Sequence, residues 1–174
     1  MRFVPQMEQN NFTYIYTTIN DWIKFSDTKA GFILASNGIM MGLVGSTLKD
    51  LILPRFGFTD WSHILFSIDI LLYILSVLIS ATLAICVIYP KLSVNEASSH
   101  IYFAHIAKAK APTYKSELLQ LSNENFDKEI IDQIFAVSKV CWSKYKRTNY
   151  SIRALYGSIF FGITVIVLCL FIDP

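Results

Sequence analysis

Three stretches of the chain carry no charged residue: 30–48, 70–89 and 154–172, of 19, 20 and 19 residues. Each is close to the roughly 20 residues that a helix needs to cross about 30 Å of hydrocarbon. Their apolar residues run around the whole helical circumference, as in helices buried in lipid or in a large core. A chain of 174 residues has no room for so large a core. The pattern therefore predicts three membrane spans. The first run follows 29 more polar residues and lacks a small-residue cleavage site, so it reads as an uncleaved signal anchor.

The remaining segments show helical spacing. Phe12, Ile15, Tyr16, Ile19, Trp22 and Ile23 predict an amphipathic helix before the first span, packed on cytoplasmic residues or lying at the headgroups. Pro90 closes the second span. Between Lys91 and Ala111 only a helical turn or two near 101–107 is suggested. Pro112 and Thr113 open a short helix ending near Leu121, and the cluster from Ser122 to Asn125 breaks it. Phe126, Ile130, Ile134, Val137, Cys141, Tyr145, Thr148, Ile152 and Leu155 then step by fours and threes, with no Gly or Pro before Gly157. One helix is expected from about Phe126 into the third span, about 70 Å long at 1.5 Å per residue.

Composition agrees with the membrane. The chain is 53% hydrophobic and 16% charged, with mean hydropathy +0.45, against about a quarter charged in soluble domains. Charge placement gives the orientation. Thirteen Lys and Arg precede the first span or follow the second, whereas the link between them holds only Lys49 and Arg55. The positive-inside rule puts the N-terminus and the long link in the cytoplasm and the C-terminus outside. Trp61 and Tyr89 lie at the ends of span two, where interfacial aromatics gather.

The expected fold is an all-α integral membrane protein with three transmembrane helices and a cytoplasmic helical unit between the second and third. The third span continues a long cytoplasmic helix. Residues 1–29 form the amphipathic cytoplasmic helix and 30–89 a transmembrane hairpin with spans about 30–48 and 64–89. Residues 90–151 form a cytoplasmic helical sensor region, and 152–172 the third span.

Enzyme signatures are absent: there is no Walker motif, GxGxxG, HExxH or GxSxG. Cys86, Cys141 and Cys169 show no CxxC spacing, and His63, His100 and His105 are not grouped at metal-ligand spacing. No catalytic residue, metal or cofactor is expected. The acids of the long link, among them Glu117 and Glu129, mostly read as solvated helix sides.

The spans carry two stripes. Gly31, Ala35, Gly38, Gly42 and Gly45 line one face of the first, and such small residues let helix backbones approach closely within or between subunits. Met40 lies on another face. Asn37, beside the stripe, is either packing glue or a functional group. Asp69, Tyr73, Ser76 and Ser80 share a face of the second span. Asp69 is either directed to a bundle interior or close enough to the surface to reach the headgroups. In an assembly this face would line a polar pathway. In the long link, Lys144, Lys146 and Arg147 cluster with Trp142 and Tyr145, and Tyr102 adjoins Phe103. Basic groups beside aromatics suit a phosphate and a stacked base, and they equally suit a juxtamembrane cluster on anionic lipid.

The run Trp22-Ile23-Lys24-Phe25-Ser26-Asp27-Thr28-Lys29-Ala30-Gly31, followed by Asn37-Gly38, resembles the signature of the bacterial Pycsar transmembrane effectors. Ile101-Tyr102-Phe103, Gln133-Ile134 and Lys144-Tyr145 fit the same pattern, so the resemblance covers nearly the whole chain. It implies an antiphage-defence effector paired with a cyclase that makes a cyclic pyrimidine nucleotide, and it implies damage to the host's inner membrane by a pore. On that basis Lys29, Tyr102, Phe103, Lys144 and Arg147 are the candidate messenger ligands. Asn37, Gly38, Gly42, Asp69, Tyr73, Ser76 and Ser80 are the candidate pore or packing residues. The expected partners are the lipid bilayer, the messenger and further copies of the chain, with no nucleic acid. The alternatives are a non-gating membrane scaffold that anchors a partner protein, or a small transporter.

Overall fold

The computed structural model describes residues 9–47, 52–57, 60–89 and 99–171. Five α-helices and one 3-10 turn appear among them: α1 Gln9–Thr47, the turn Leu53–Arg55, α2 Trp61–Ile88, α3 Phe103–Ile106, α4 Ala111–Gln120 and α5 Asn123–Leu168. No strand occurs among the described residues.

α1 is one uninterrupted helix of 39 residues, where an amphipathic helix and a separate span were expected. The reason is local. No Pro stands between Gln9 and Thr47, and neither Ala30 nor Gly31 caps a helix end, so the backbone ladder has nowhere to stop. α5, at 46 residues, is the long helix that the spacing from Phe126 predicts. It opens at Ser122, whose hydroxyl accepts from the Asn125 amide at 3.4 Å, the role of an N-cap side chain. α4 begins Ala-Pro, with proline in the first turn where its missing N–H costs no bond. The expected stop at Pro90 and residues 91–98 of the 91–111 stretch lie outside the described residues, and the turn or two expected near 101–107 is α3.

Among the described residues two helices are long and apolar enough to cross a membrane, α2 and α5. The described part of α1 is not one of them. Its expected span contains Gly31, Ser36, Asn37, Gly38, Gly42, Gly45 and Ser46, which dilute its apolar content, and Leu48 lies outside the described residues.

The chain divides into two compact units. The first comprises Met1–Lys24 and Pro90–Ser143, and the second Phe25–Tyr89 and Lys144–Pro174. In the first, the start of α1 and α5 meet Ile101 around a small cavity, and His100 is fastened to α4 and α5.

The second unit is a three-helix bundle. Ala30 and Ile33 of α1 pack with Ala84 and Val87 of α2 and with Ile152 and Leu155 of α5. Further along, Val44 joins Phe66, Ile70, Tyr73, Val77, Val165 and Cys169. Residue numbers rise along α1 and α5 while they fall along α2, so α2 runs antiparallel to both. The link before α2 folds onto it. Ser67 Oγ donates to the Gly57 carbonyl at 3.0 Å and accepts from the Gly57 amide at 3.2 Å, and His63 Nδ1 lies 2.8 Å from the Arg55 carbonyl oxygen.

This unit mixes polar residues into its interior and leaves large apolar ones outside. Its buried residues include Ser26, Asn37, Ser67, Ser80, Thr148, Ser151 and Ser158, whereas Phe32, Ile39, Leu71, Leu78, Phe160 and Ile163 stand exposed. Apolar surface on this scale is what lipid solvates and water does not.

Candidate functional site

A polar seam runs between the three helices of the second unit. At one end Lys144 of α5 donates to Asp27 of α1, and Thr148, one turn on, returns its hydroxyl to the Lys144 carbonyl at 3.0 Å. Next, Asn37 Nδ2 donates to Ser80 Oγ at 2.9 Å, Ser80 Oγ donates to the Ser151 carbonyl at 3.1 Å, and Ser151 Oγ donates to the Ser80 carbonyl at 2.7 Å. One residue from each helix meets there, all three buried. Further along, Thr164 donates to Asp69 Oδ2 at 2.7 Å. A polar group at membrane depth must find a partner inside the protein, and this seam provides the partners. Two buried atoms on it, Asn37 Oδ1 and the Tyr73 hydroxyl, have no hydrogen-bond partner among the described residues.

Asp69, Tyr73, Ser76 and Ser80 therefore face α1 and α5 within one chain. Asp69 is directed to Thr164. A Cβ added at Gly157 would sit 3.3 Å from Ser76 Oγ, and one at Gly162 would sit 2.9 Å from Met40 Cε and 3.1 Å from the Tyr73 ring. Glycine at 157 and 162 is what lets α5 approach α2 so closely. Met40, expected on a face of its own, is part of this packing. The α1 stripe behaves oppositely: a Cβ at Gly31, Gly38, Gly42 or Gly45 would meet nothing within 4 Å. The close approach inside the protomer uses glycines of α5, which the sequence spacing alone did not single out.

The five candidate messenger ligands are distributed over both units. Lys29, Lys144 and Arg147 belong to the second, Tyr102 and Phe103 to the first. Each of the three cations is occupied locally. Lys29 Nζ lies 4.2 Å from the centroid of the Phe25 ring, and Lys144 is held by Asp27. Arg147 Nη1 donates to the Cys86 carbonyl at 3.0 Å, satisfying one of the last carbonyls of α2 as a basic side chain does at a helix C-terminus. Tyr102 packs on Phe103 with centroids 5.0 Å apart and edge-on to His105 at 5.2 Å.

In the first unit, a cavity of about 170 Å³ is lined by Phe12, Thr13 and Tyr16 of α1, Ile101, and Phe126, Ile130 and Gln133 of α5. Phe126, Ile130 and Gln133 step by four and three and so share one helix face. Beside this face Asp127 carries a buried carboxylate oxygen with no hydrogen-bond partner among the described residues.

The same unit holds a clamp that the sequence did not announce. His100 Nδ1 lies 2.7 Å from Glu129 Oε1, its backbone N–H donates to Glu129 Oε2 at 2.9 Å, and its Nε2 lies 3.6 Å from Glu117. Tyr114 donates its hydroxyl to the His100 carbonyl at 3.0 Å. The bond with Glu129 is the main cause that holds the His100 imidazole above its ordinary pKa, with smaller help from Glu117 against a burial that acts the other way. Glu129 is 29 residues away in sequence, and only the fold reveals the pair. Among the described residues no group of three or more His, Cys, Asp or Glu could hold a metal ion.

A family model described as the Pycsar effector protein domain matches residues 11–171 of the chain, which takes in both units. No curated protein and no solved structure matches.

Proposed function

The chain belongs to the Pycsar effector family, and from that membership we propose that it is a ligand-gated effector that impairs the inner membrane when a cyclic nucleotide messenger appears. The family supports a role as an antiphage-defence effector, and it is a family of membrane effectors rather than a known class of enzyme. The proposal adds the ligand, the pore and the topology.

The observation that carries it is the apolar outside of the second unit combined with polar groups in its interior. Its outside is aliphatic and aromatic, and a hydrogen-bonded polar seam runs through its inside beside two apolar clusters. That arrangement supports three spans, with the part of α1 from Ala30 onward as the first. Phe32 and Ile39 are exposed there while Ile33 and Asn37 are buried, as expected of a helix with lipid on one side and protein on the other. The excess of Lys and Arg outside the 49–55 link supports a cytoplasmic N-terminus and long link, with the C-terminus outside.

Three helices packed on one another enclose no channel, so damage requires several copies. The outward glycine stripe of α1, through Gly38 and Gly42, suits such assembly. A messenger made by a partner cyclase would bind the cytoplasmic unit and shift the assembly toward an open arrangement, which requires tighter binding to that arrangement than to the closed one.

Liposomes loaded with a self-quenched dye test the proposal directly. The purified full chain is expected to release dye when a cyclic pyrimidine nucleotide is added on the side of the long link and to hold dye without it. Tight vesicles with every cyclic nucleotide tried would favour the scaffold alternative.

A further inference from the structure

We infer that the cavity between α1 and α5 in the first unit receives the nucleobase of the messenger, with Gln133 reading its edge; this rests on the nucleotide-gated reading above.

The cavity's chemistry points to a flat heterocycle. Phe12, Tyr16 and Phe126 bring three aromatic rings to a space of about 170 Å³, and Ile101 and Ile130 complete an apolar wall. Splayed-out bases are held by stacking on such rings and by hydrogen bonds along their edges. Gln133 supplies that edge contact, since its amide offers an acceptor oxygen and two N–H donors. A purely apolar guest such as an acyl chain would make no use of that amide.

Among the described residues no Lys or Arg lines the cavity, which suits a base better than a phosphate. The ribose and cyclic phosphate would then lie toward the mouth. Lys144 is held by Asp27, and Arg147 gives one of its N–H groups to the Cys86 carbonyl.

Gln133 makes the inference specific. By turning over, its amide can pair with uracil, which presents a carbonyl oxygen, or with cytosine, which presents an exocyclic amine. A glutamate of the same shape has acceptors only when ionised, so it keeps the contact with the cytosine amine and loses the one with the uracil carbonyl.

The test is isothermal titration of the full chain in neutral-lipid nanodiscs with the 3′,5′-cyclic monophosphates of uridine, cytidine, adenosine and guanosine. The wild type is expected to bind a pyrimidine nucleotide. Gln133→Leu and the cavity-filling Ile130→Trp are expected to weaken that binding about tenfold or more. Gln133→Glu is expected to shift preference toward cytidine over uridine by about tenfold. Lys115→Ala, exposed on α4, serves as the unchanged control. Ile130→Trp risks misfolding, and Gln133→Glu does not depend on it because its readout is a change in preference. If the wild type binds and leaks while both Gln133 variants bind like it with unchanged preference, the cavity is not the base site and this inference alone falls. If the wild type neither binds nor leaks with any of the four, the nucleotide reading falls with it.

Discussion

Lys144 and Asp27, 117 positions apart, form an ion pair that joins α5 to α1 at one end of the second unit. Lys144 keeps only 12% of its side-chain surface exposed, so water offers its ammonium little beyond what Asp27 provides. Asp27 belongs to the Asp-Thr-Lys-Ala-Gly run that carries the family resemblance, which gives that run a packing role. Removing one member of a part-buried pair leaves the other without its bond, at a cost of about 1–3 kcal/mol. Lys144→Ala and Asp27→Ala are each expected to lower the thermal midpoint of the detergent-solubilised chain, and the double variant to lose less than the sum. Additive losses would show that the two side chains do not act as a pair.

Glycines provide the second contrast. At Gly162 an added Cβ meets Met40 and Tyr73, whereas at Gly38 and Gly42 it meets open space. Gly162→Leu is expected to destabilise the protomer by roughly 1–3 kcal/mol, the usual cost of overpacking. Gly38→Ile and Gly42→Ile are expected to leave the melting of the dissociated protomer nearly unchanged and to reduce cross-linked oligomer in membranes. Met40→Ile, which reshapes the contact with Gly162, is expected to follow Gly162→Leu in direction. Thermal melting in a dissociating detergent and cross-linking in native membranes check the two halves separately.

The unequal legibility of these features has a physical origin. Charge-free runs and the 3.6-residue step are local, so the bounds of α2 and α5 could be read from the residues. The end of the N-terminal amphipathic segment could not, because a helix continues unless something stops it, and Lys29-Ala30-Gly31 contains no stop. Stripes were visible as faces but not as directions. The Asp69–Ser80 face turns inward, while the glycines of the Gly31–Gly45 face meet nothing among the described residues. Sequence spacing says which residues share a face, and only packing says what that face meets. The pairs of Lys144 with Asp27, Arg147 with Cys86 and His100 with Glu129 are long-range, and no local pattern encodes them.

His100 predicts a pH dependence. Glu129 of α5 and Glu117 of α4 face its ring, and Tyr114 of α4 stacks near it with centroids 6.4 Å apart. Because the folded state raises its pKa, chiefly through the bond with Glu129, the protonated form is the one the fold favours. Its contribution is fully present below the ordinary histidine value of about 6.5 and is lost as pH rises through the raised value. Amides near 99–106 are expected to exchange faster, relative to their intrinsic rates, at pH 8 than at pH 6. His100→Gln, which keeps a hydrogen-bonding side chain without the charge, is expected to flatten that difference. Hydrogen exchange read by mass spectrometry gives the answer, and equal pH slopes for wild type and variant would show that His100 does not set the dependence.

Parity of membrane crossing separates the three-span reading from a two-span one. α2 and α5 alone would return the chain to the side it started from, leaving both termini together. Adding α1 as a span places them on opposite sides. The case for α1 is its division into faces. Ile33, Asn37 and Val44 are buried among α2 and α5, while Phe32, Ile39, Met41 and Leu43 are each more than half exposed. An apolar outer face on a helix whose inner face already has its partners is stable in lipid and costly in water, at about 25 cal/mol for each Å² of apolar surface left wet. Charge placement sets the direction, with thirteen Lys and Arg on one side and two on the other. A periplasm-active reporter fused after Pro174 is expected to be active, the same reporter inserted near Asn123 silent, and one placed ahead of Gln9 silent as well. Activity at neither terminus would leave α1 on the cytoplasmic surface with only α2 and α5 crossing. Activity at both termini would put α1 on the outer surface and invert the whole arrangement.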